Sequence, residues 1–99
     1  MYPAGFEWDD RKRRATLAAH GRPDFMVAIR LFDGPVLEAR DGRKDYGEER
    51  WRAIGEVDGR CLVVVYTRRG GNRRIISARR ANRKEAASFK QVIAAARSD

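Results

Sequence analysis

The sequence has few of the residues that bind metals or form covalent crosslinks. Its 99 residues include one cysteine, Cys61, and one histidine, His20. A single cysteine excludes an intrachain disulfide and a cysteine-based metal site, and its position at the start of an apolar run favours a small buried side chain. The paired acids at 9–10 and 48–49 are adjacent, and adjacent residues of a strand or helix point in different directions. We therefore expect no metal site and no other cofactor.

Long hydrophobic runs are also missing. The longest, Cys61 to Tyr66, has six residues, whereas a transmembrane helix needs roughly 20. The N-terminus has no apolar stretch of the kind found in signal peptides, so we expect a cytoplasmic protein without membrane contacts. With 42% hydrophobic and 36% charged residues, the chain has the composition of a globular protein. Its length predicts a single domain spanning residues 1–99.

Acidic residues are absent from residues 68–84, here called the basic segment. The chain has a net charge of +8, and the eight basic side chains of these 17 residues can account for all of it. Scattered arginines usually form a solvated surface, but this concentration favours a polyanionic partner, namely nucleic acid, an anionic membrane surface or an acidic protein. The eight are Arg68, Arg69, Arg73, Arg74, Arg79, Arg80, Arg83 and Lys84.

Hydrophobic periodicity predicts a short strand and two helices near the N-terminus. Residues 6–8 are aromatic-rich and suit a short strand, and residues 10–20 are rich in Ala, Arg and Lys and suit a helix. A second helix is expected from Pro23 to Asp33, because its apolar residues recur at i, i+3, i+4 and i+7. This stripe consists of Phe25, Ala28, Ile29 and Phe32.

The apolar period then changes to about two, which predicts strands at 36–40 and 50–57. The segment 62–67 is apolar on both faces, as expected of a central strand. A turn at 70–72, with sequence Gly-Gly-Asn, leads into a further strand at 73–79. The sequence therefore predicts strands joined by short connections, which pair as an antiparallel meander.

A final helix is expected after Asn82, because Glu85 stands three residues further on in a capping-box arrangement. The order of elements predicts an α+β fold. Its small antiparallel sheet has about four strands plus the short N-terminal strand. Two N-terminal helices and one C-terminal helix pack on this sheet.

The start of the final helix carries an unusual concentration of cations. A helix N-terminus already has a partial positive charge, which disfavours Lys and Arg there unless an anion binds. Patterns for a catalytic triad or a glycine-rich nucleotide loop are absent. RNA cleavage by a ribose 2′-OH needs no metal, and guanidinium groups can stabilise the charge that develops on phosphate. The cations are Arg79, Arg80, Arg83 and Lys84, and we expect them to converge with the helix N–H groups on a single anion site.

Two further side chains have a functional and a structural interpretation. Trp51 lies between two arginines and could stack on a base, although a tryptophan in a strand is more often part of the core. His20 could transfer a proton near neutral pH, or could simply interact with a helix C-terminus.

Four stretches of the sequence resemble the BrnT family of bacterial type II toxins. They are "FEWDDRK" (6–12), "HG" (20–21) with the later "FDGP" (32–35), "GEERWRAIG" (47–55) and "LVVVYTRRGGNRRIISARRANRKE" (62–85). The resemblance implies a RelE-like fold and a metal-independent endoribonuclease that blocks translation by cutting mRNA, free or on the ribosome. It also implies a cognate BrnA-like antitoxin, through whose DNA-binding domain the pair contacts promoter DNA.

The same resemblance implies roles for individual residues. The implied catalytic residues are Arg50, Arg52, Arg68 and Arg79, with Glu49 as a candidate for proton transfer, and His20 is a further candidate from its residue type alone. The implied RNA-binding residues are Lys44, Arg69, Arg80 and Arg83, and the residue types of Lys84 and Trp51 make them further RNA-binding candidates. Composition alone leaves two alternatives open: a noncatalytic nucleic-acid-binding module, and an interaction domain for an acidic protein.

Overall fold

A computed structural model describes residues 2–19, 21–42 and 47–97. Its N-terminal elements are short, and a long hairpin and a long helix follow them towards the C-terminus. In chain order they are β1 (Phe6–Trp8), α1 (Asp10–Ala18), α2 (Phe25–Ala28), a 3₁₀ helix (Ile29–Asp33), β2 (Leu37–Arg40), β3 (Trp51–Val57), β4 (Arg60–Arg69), β5 (Asn72–Arg80) and α3 (Arg83–Arg97). None of the described helices is long and apolar enough to cross a membrane.

The five strands form one sheet in the order β1-β5-β4-β3-β2. Strands β2 to β5 pair antiparallel with their sequence neighbours, as predicted. The short strand β1 pairs in parallel with residues Arg73 to Ile75 of β5, so the sheet is mixed and the fold is α+β. Parallel pairing is possible because a long connection, which contains β2, β3 and β4, separates β1 from β5 in the chain.

The hairpin between β4 and β5 turns at Gly70 and Gly71. Their φ angles of 56° and 85° are both positive, which is the requirement of a two-residue type I′ turn. Within the hairpin, Tyr66 pairs with Ile75 and Val65 pairs with Ser77, so Ile76 is an extra residue on β5. This β-bulge changes which residues of β5 face each side of the sheet.

The two sides of the sheet carry separate apolar cores. On one side, here called the α1/α2 face, Leu62, Val64 and Tyr66 of β4 pack with the helices near the N-terminus. On the other, the α3 face, Val63 packs with Phe89 of α3. Strand β4 is therefore buried on both faces, as its sequence predicted.

The predicted second helix changes from an α-helix to a 3₁₀ helix along its length. It begins as an α-helix capped by Asp24, whose carboxylate accepts a hydrogen bond from the Met26 N–H, and then tightens into the 3₁₀ helix. Leu31 rather than Phe32 is fully buried. Leu31 fits against β3 because Gly55 has no side chain. A Cβ added to Gly55 would lie only 3.0 Å from the Leu31 Cβ.

The capping box at the start of α3 is confirmed. The Asn82 side chain accepts from the Glu85 N–H at 2.8 Å, and the Glu85 carboxylate accepts from the Asn82 N–H at 2.9 Å. The two reciprocal bonds fix the first turn of α3 against the end of β5.

Candidate nucleic-acid interface

Two of the predicted catalytic arginines lie on the α3 face of the sheet. Arg52 of β3 pairs with Val65, and Arg79 of β5 pairs with Val63. Val63 and Val65 are two residues apart on β4, so all of these side chains point to the same face. Since β4 alone separates β3 from β5, the strand spacing puts the two arginine backbones on the order of 10 Å apart.

The first turns of α3 complete a cleft with these arginines, here called the α3-side cleft. Its volume is about 500 Å³. Apolar side chains from β2 and β3 form part of its lining, and polar side chains from β3, β5, the β5–α3 connection and α3 form the rest. Its lining residues are Leu37, Arg52, Ile54, Arg79, Asn82, Lys84, Glu85 and Ser88.

Arg79 makes a two-point ion pair with Glu85 across the cleft. The distances are 2.7 Å from Nη1 to Oε1 and 2.8 Å from Nη2 to Oε2. The two side chains are 30% and 14% exposed, so the pair is shielded far more than an ordinary surface salt bridge. A parallel arrangement of this kind fixes the plane and the position of the guanidinium group.

The environment of Glu85 strongly favours its charged form. Hydrogen bonds from Arg79 are the main cause that lowers the Glu85 pKa to about 2, with help from the Asn82 N–H and the charges of Arg79 and Arg52, against the opposing effect of burial. With Glu85 ionised, the cleft lining has three cations and one carboxylate, a net charge of +2. An anion such as phosphate is therefore still attracted to it.

The four cations expected to converge at the start of α3 do not share one site. Arg79 lines the α3-side cleft with Lys84. Arg80 pairs with Leu62, which belongs to the core of the α1/α2 face, so its side chain lies on the opposite side of the sheet. Arg83 is exposed on the first turn of α3. The prediction of a single four-cation site is corrected, because consecutive residues of a strand face opposite sides.

Arg68 is likewise separated from Arg52 and Arg79. Its guanidinium lies 5.8 Å from the ring centroid of Tyr66, on the α1/α2 face. On the same face, the guanidinium of Arg73 lies 4.2 Å from the centroid of the Phe32 ring. Trp51 is half-buried against the core of this face, which supports its structural interpretation over base stacking.

The remaining candidates lie beside the sheet or outside the described residues. Glu49 precedes β3 and forms an ion pair with Arg40 at 2.9 Å, both side chains being well exposed. Arg50 follows it, and its carbonyl accepts from the Asp41 N–H. Arg69 is exposed at the end of β4. His20 and Lys44 lie outside the residues that the structure describes.

Sequence reasoning missed a part of the cleft and a network on the opposite face. Glu85 was expected only as a capping residue, yet it also binds Arg79. On the α1/α2 face, the Tyr66 hydroxyl donates to Glu38 at 3.0 Å, and burial raises the Tyr66 pKa. A carboxylate six residues from its arginine, across a strand-to-helix junction, matches no sequence periodicity. The chain offers no signal from which that pairing could have been inferred.

The described residues contain no group of three His, Cys, Asp or Glu side chains placed to hold a metal ion. The model of one protein family matches residues 8–85 of the chain. That family is described as "Ribonuclease toxin, BrnT, of type II toxin-antitoxin system". The match begins at Trp8, the last residue of β1, and includes β2 to β5 and the first turn of α3, and so every residue of the α3-side cleft except Ser88. Among curated proteins, no sequence matches the chain.

Proposed function

The chain belongs to the BrnT family of type II toxin–antitoxin ribonuclease toxins, and on that premise we propose that it cleaves RNA without a metal ion in the α3-side cleft. The observation that carries this proposal is the presence of Arg52 and Arg79 on one face of the sheet, in a cleft of net positive charge. We further propose that residues 1–99 form one RelE-like toxin domain.

In the proposed reaction, a ribose 2′-oxygen forms a bond to the adjacent phosphorus while the bond from phosphorus to the 5′-oxygen breaks. One proton leaves the 2′-hydroxyl and one is delivered to the 5′-oxygen, so the products are a 2′,3′-cyclic phosphate and a 5′-hydroxyl. Negative charge develops on the nonbridging oxygens in between. Stabilising this charge with groups that are already oriented is commonly the largest catalytic contribution of a protein.

Arg52 and Arg79 are proposed to stabilise that charge. Arginine stays protonated and carries five N–H donors, so a guanidinium bonded to a carboxylate can also donate to a phosphate oxygen. The two-point pair with Glu85 orients Arg79 before RNA arrives, at 2.7 and 2.8 Å. Glu85 itself is a poor proton acceptor, because its pKa of about 2 is far from neutral pH. We therefore assign it to positioning Arg79.

The family implies an antitoxin partner. We propose that the antitoxin acts by covering the α3-side cleft. A cleft with a net charge of +2 suits an acidic segment that occupies the place of RNA phosphates. Binding of this kind would neutralise the toxin by excluding the substrate. Its measurable consequence is competition: the purified antitoxin should displace RNA from the chain and stop cleavage at equal molar amounts.

The experiment that tests the function uses the purified chain and labelled single-stranded RNA in excess EDTA. We expect cleavage to persist in EDTA and to give products with 2′,3′-cyclic phosphate ends. RNA that is bound but left intact would support the noncatalytic module instead. Cleavage that stops in EDTA and returns only with a divalent cation would contradict the metal-independent mechanism.

A further inference from the structure

A second basic cleft lies on the α1/α2 face, between the segment that precedes α2 and the turn from β3 to β4. Its volume is about 450 Å³, and we call it the α2-side cleft. Three arginines from separate parts of the chain line it, together with three valine or leucine side chains. These six are Arg22, Arg60, Arg80, Val27, Val57 and Leu62.

The three arginines of this cleft have no carboxylate partners among the described residues. All three are exposed. The one acid among the described lining residues is Asp58, and Arg30 already holds it through two hydrogen bonds of 3.1 Å. Some other arginines of the fold do have a carboxylate partner, as Arg13 has in Asp24 at 2.7 Å. Three uncompensated guanidiniums around one cleft repel each other, and a bound anion relieves that repulsion.

The apolar part of the cleft narrows the class of anion. Val57 and Leu62 are buried, but Val27 is 41% exposed and offers an apolar surface beside the arginines. A small inorganic anion gains nothing from such a surface. A nucleotide does, because its sugar and base present apolar area while its phosphate meets the guanidinium groups.

The two basic clefts meet at the end of β5. Arg79 lines the α3-side cleft and Arg80, the next residue, lines the α2-side cleft. Strand β1 pairs only with Arg73 to Ile75, so among the described residues no strand covers the outer edge of β5 from 76 to 80. A single strand that occupies both clefts would cross this edge.

We propose that the α2-side cleft is a second RNA-binding site, which holds the phosphate backbone of the single strand beyond the nucleotide that is cut. This inference rests on the proposed function, because it takes the α3-side cleft to be the site of cleavage. The α2-side cleft supplies affinity for long substrates and takes no part in the chemistry.

The test compares a double variant with a charge-matched control. Arg22→Gln/Arg60→Gln removes two cations from the α2-side cleft, and Arg14→Gln/Arg97→Gln removes two exposed cations from α1 and from the end of α3. Each protein is given a labelled long single strand and a dinucleotide substrate, and binding is measured over a range of salt concentrations. Thermal unfolding verifies that all the variants fold.

For the cleft variant, we expect affinity for the long strand to fall by about tenfold or more at low salt. The slope of log affinity against log salt should fall by about 0.7 for each lost phosphate contact. Cleavage of the dinucleotide should be unchanged, since it occupies only the α3-side cleft.

Equal losses in the cleft variant and the control would overturn the inference. So would an intact affinity for RNA combined with a weakened affinity for the antitoxin, which would make the cleft a protein-binding site. Failure of the proposed function has a different signature, because the unaltered chain would then cleave neither substrate while binding of the long strand would still be measurable.

Discussion

The two basic clefts lie on opposite sides of one sheet and differ in whether a carboxylate binds their arginines. In the α3-side cleft, Glu85 binds Arg79 through two hydrogen bonds and fixes its orientation. In the α2-side cleft, Arg22, Arg60 and Arg80 have no carboxylate partner among the described residues. A carboxylate lowers the net charge but holds a guanidinium in one geometry, which catalysis requires. Uncompensated guanidiniums attract an extended anion without orienting it, which suffices for binding.

The largest expected effect is on cleavage when the α3-side cleft loses Arg52. The substitution Arg52→Ala should lower kcat about 100-fold to 1000-fold, the range seen when one donor to a developing charge is removed. Initial rates with labelled RNA measure this effect. Arg97→Ala, at the exposed end of α3, is the matched control and should keep its activity. A reduction in RNA affinity with kcat intact would mean that Arg52 only binds substrate.

The second effect separates the two roles of Glu85. Glu85→Gln keeps the cap, because glutamine also serves in a capping box, but it removes the charge that holds Arg79. We expect kcat to fall about tenfold or more, with a smaller change in KM. Asn82→Ala keeps the ion pair and loses the cap, so it should cost about 1 kcal/mol of unfolding free energy and much less activity.

Equal kcat values for the Glu85→Gln variant and the unaltered chain would remove the positioning role from Glu85. An increase in kcat would reverse the interpretation, because the carboxylate would then be competing with RNA for Arg79. The steady-state kinetics of both variants, measured beside their thermal unfolding, distinguish these results.

The third effect is on stability at low pH. The folded-state pKa of Glu85 is about 2, below its ordinary value of 4.5, so its contribution is present above about pH 5 and is lost as the pH falls towards 2. The side chain is only 14% exposed, and the shift corresponds to about 3 kcal/mol. Urea unfolding of the unaltered chain should show this additional loss between pH 5 and pH 2.

The Glu85→Gln variant supplies the control for that measurement. The pKa of Asp24 is also lowered, chiefly by its hydrogen bond from Arg13, but this contribution is common to both proteins and cancels in the difference. Parallel stability curves for the two proteins would contradict the assignment of the low pKa to Glu85.

The smallest effect concerns the acid of the α2-side cleft. Asp58 has a positive φ of 51°, a conformation that asparagine also tolerates, so Asp58→Asn should leave stability nearly unchanged. It removes one negative charge and releases Arg30. We expect affinity for a long RNA strand to rise about twofold to threefold at low salt and to equal that of the unaltered chain at high salt. Weaker binding would show that the cleft does not hold the RNA backbone.

The order of the elements could be read from local patterns, because each pattern reports nearby residues. The double-sided apolar run of β4, the two glycines of its hairpin and the Asn82–Glu85 capping box were all identified correctly. Each of these features depends on residues that are close in the chain. The same local signals indicated where the basic segment would lie among the elements.

The side of the sheet that each arginine of β5 faces could not be predicted from these local patterns. Strict alternation along β5 would put Arg73 and Arg79 on the same face, since both have odd numbers. The bulge at Ile76 puts Arg73 against Phe32 and Arg79 against Glu85, on opposite faces. A bulge depends on how two strands pair, so hydrophobic periodicity within one strand does not reveal it.

Gly55 connects the packing on the α1/α2 face to the position of Arg52 in the α3-side cleft, because both residues belong to β3. It stands three residues after Arg52 on β3, and any Cβ there would lie 3.0 Å from the Leu31 Cβ and 3.4 Å from the Leu31 carbonyl oxygen. Even one methyl group would push β3 away from the 3₁₀ helix and shift the strand that carries Arg52. If Arg52 acts as proposed, RNA cleavage therefore also depends on a position that has no polar side chain and that packs against Leu31. Weakened toxins with an intact fold are to be sought among such buried replacements, as well as among the charged residues.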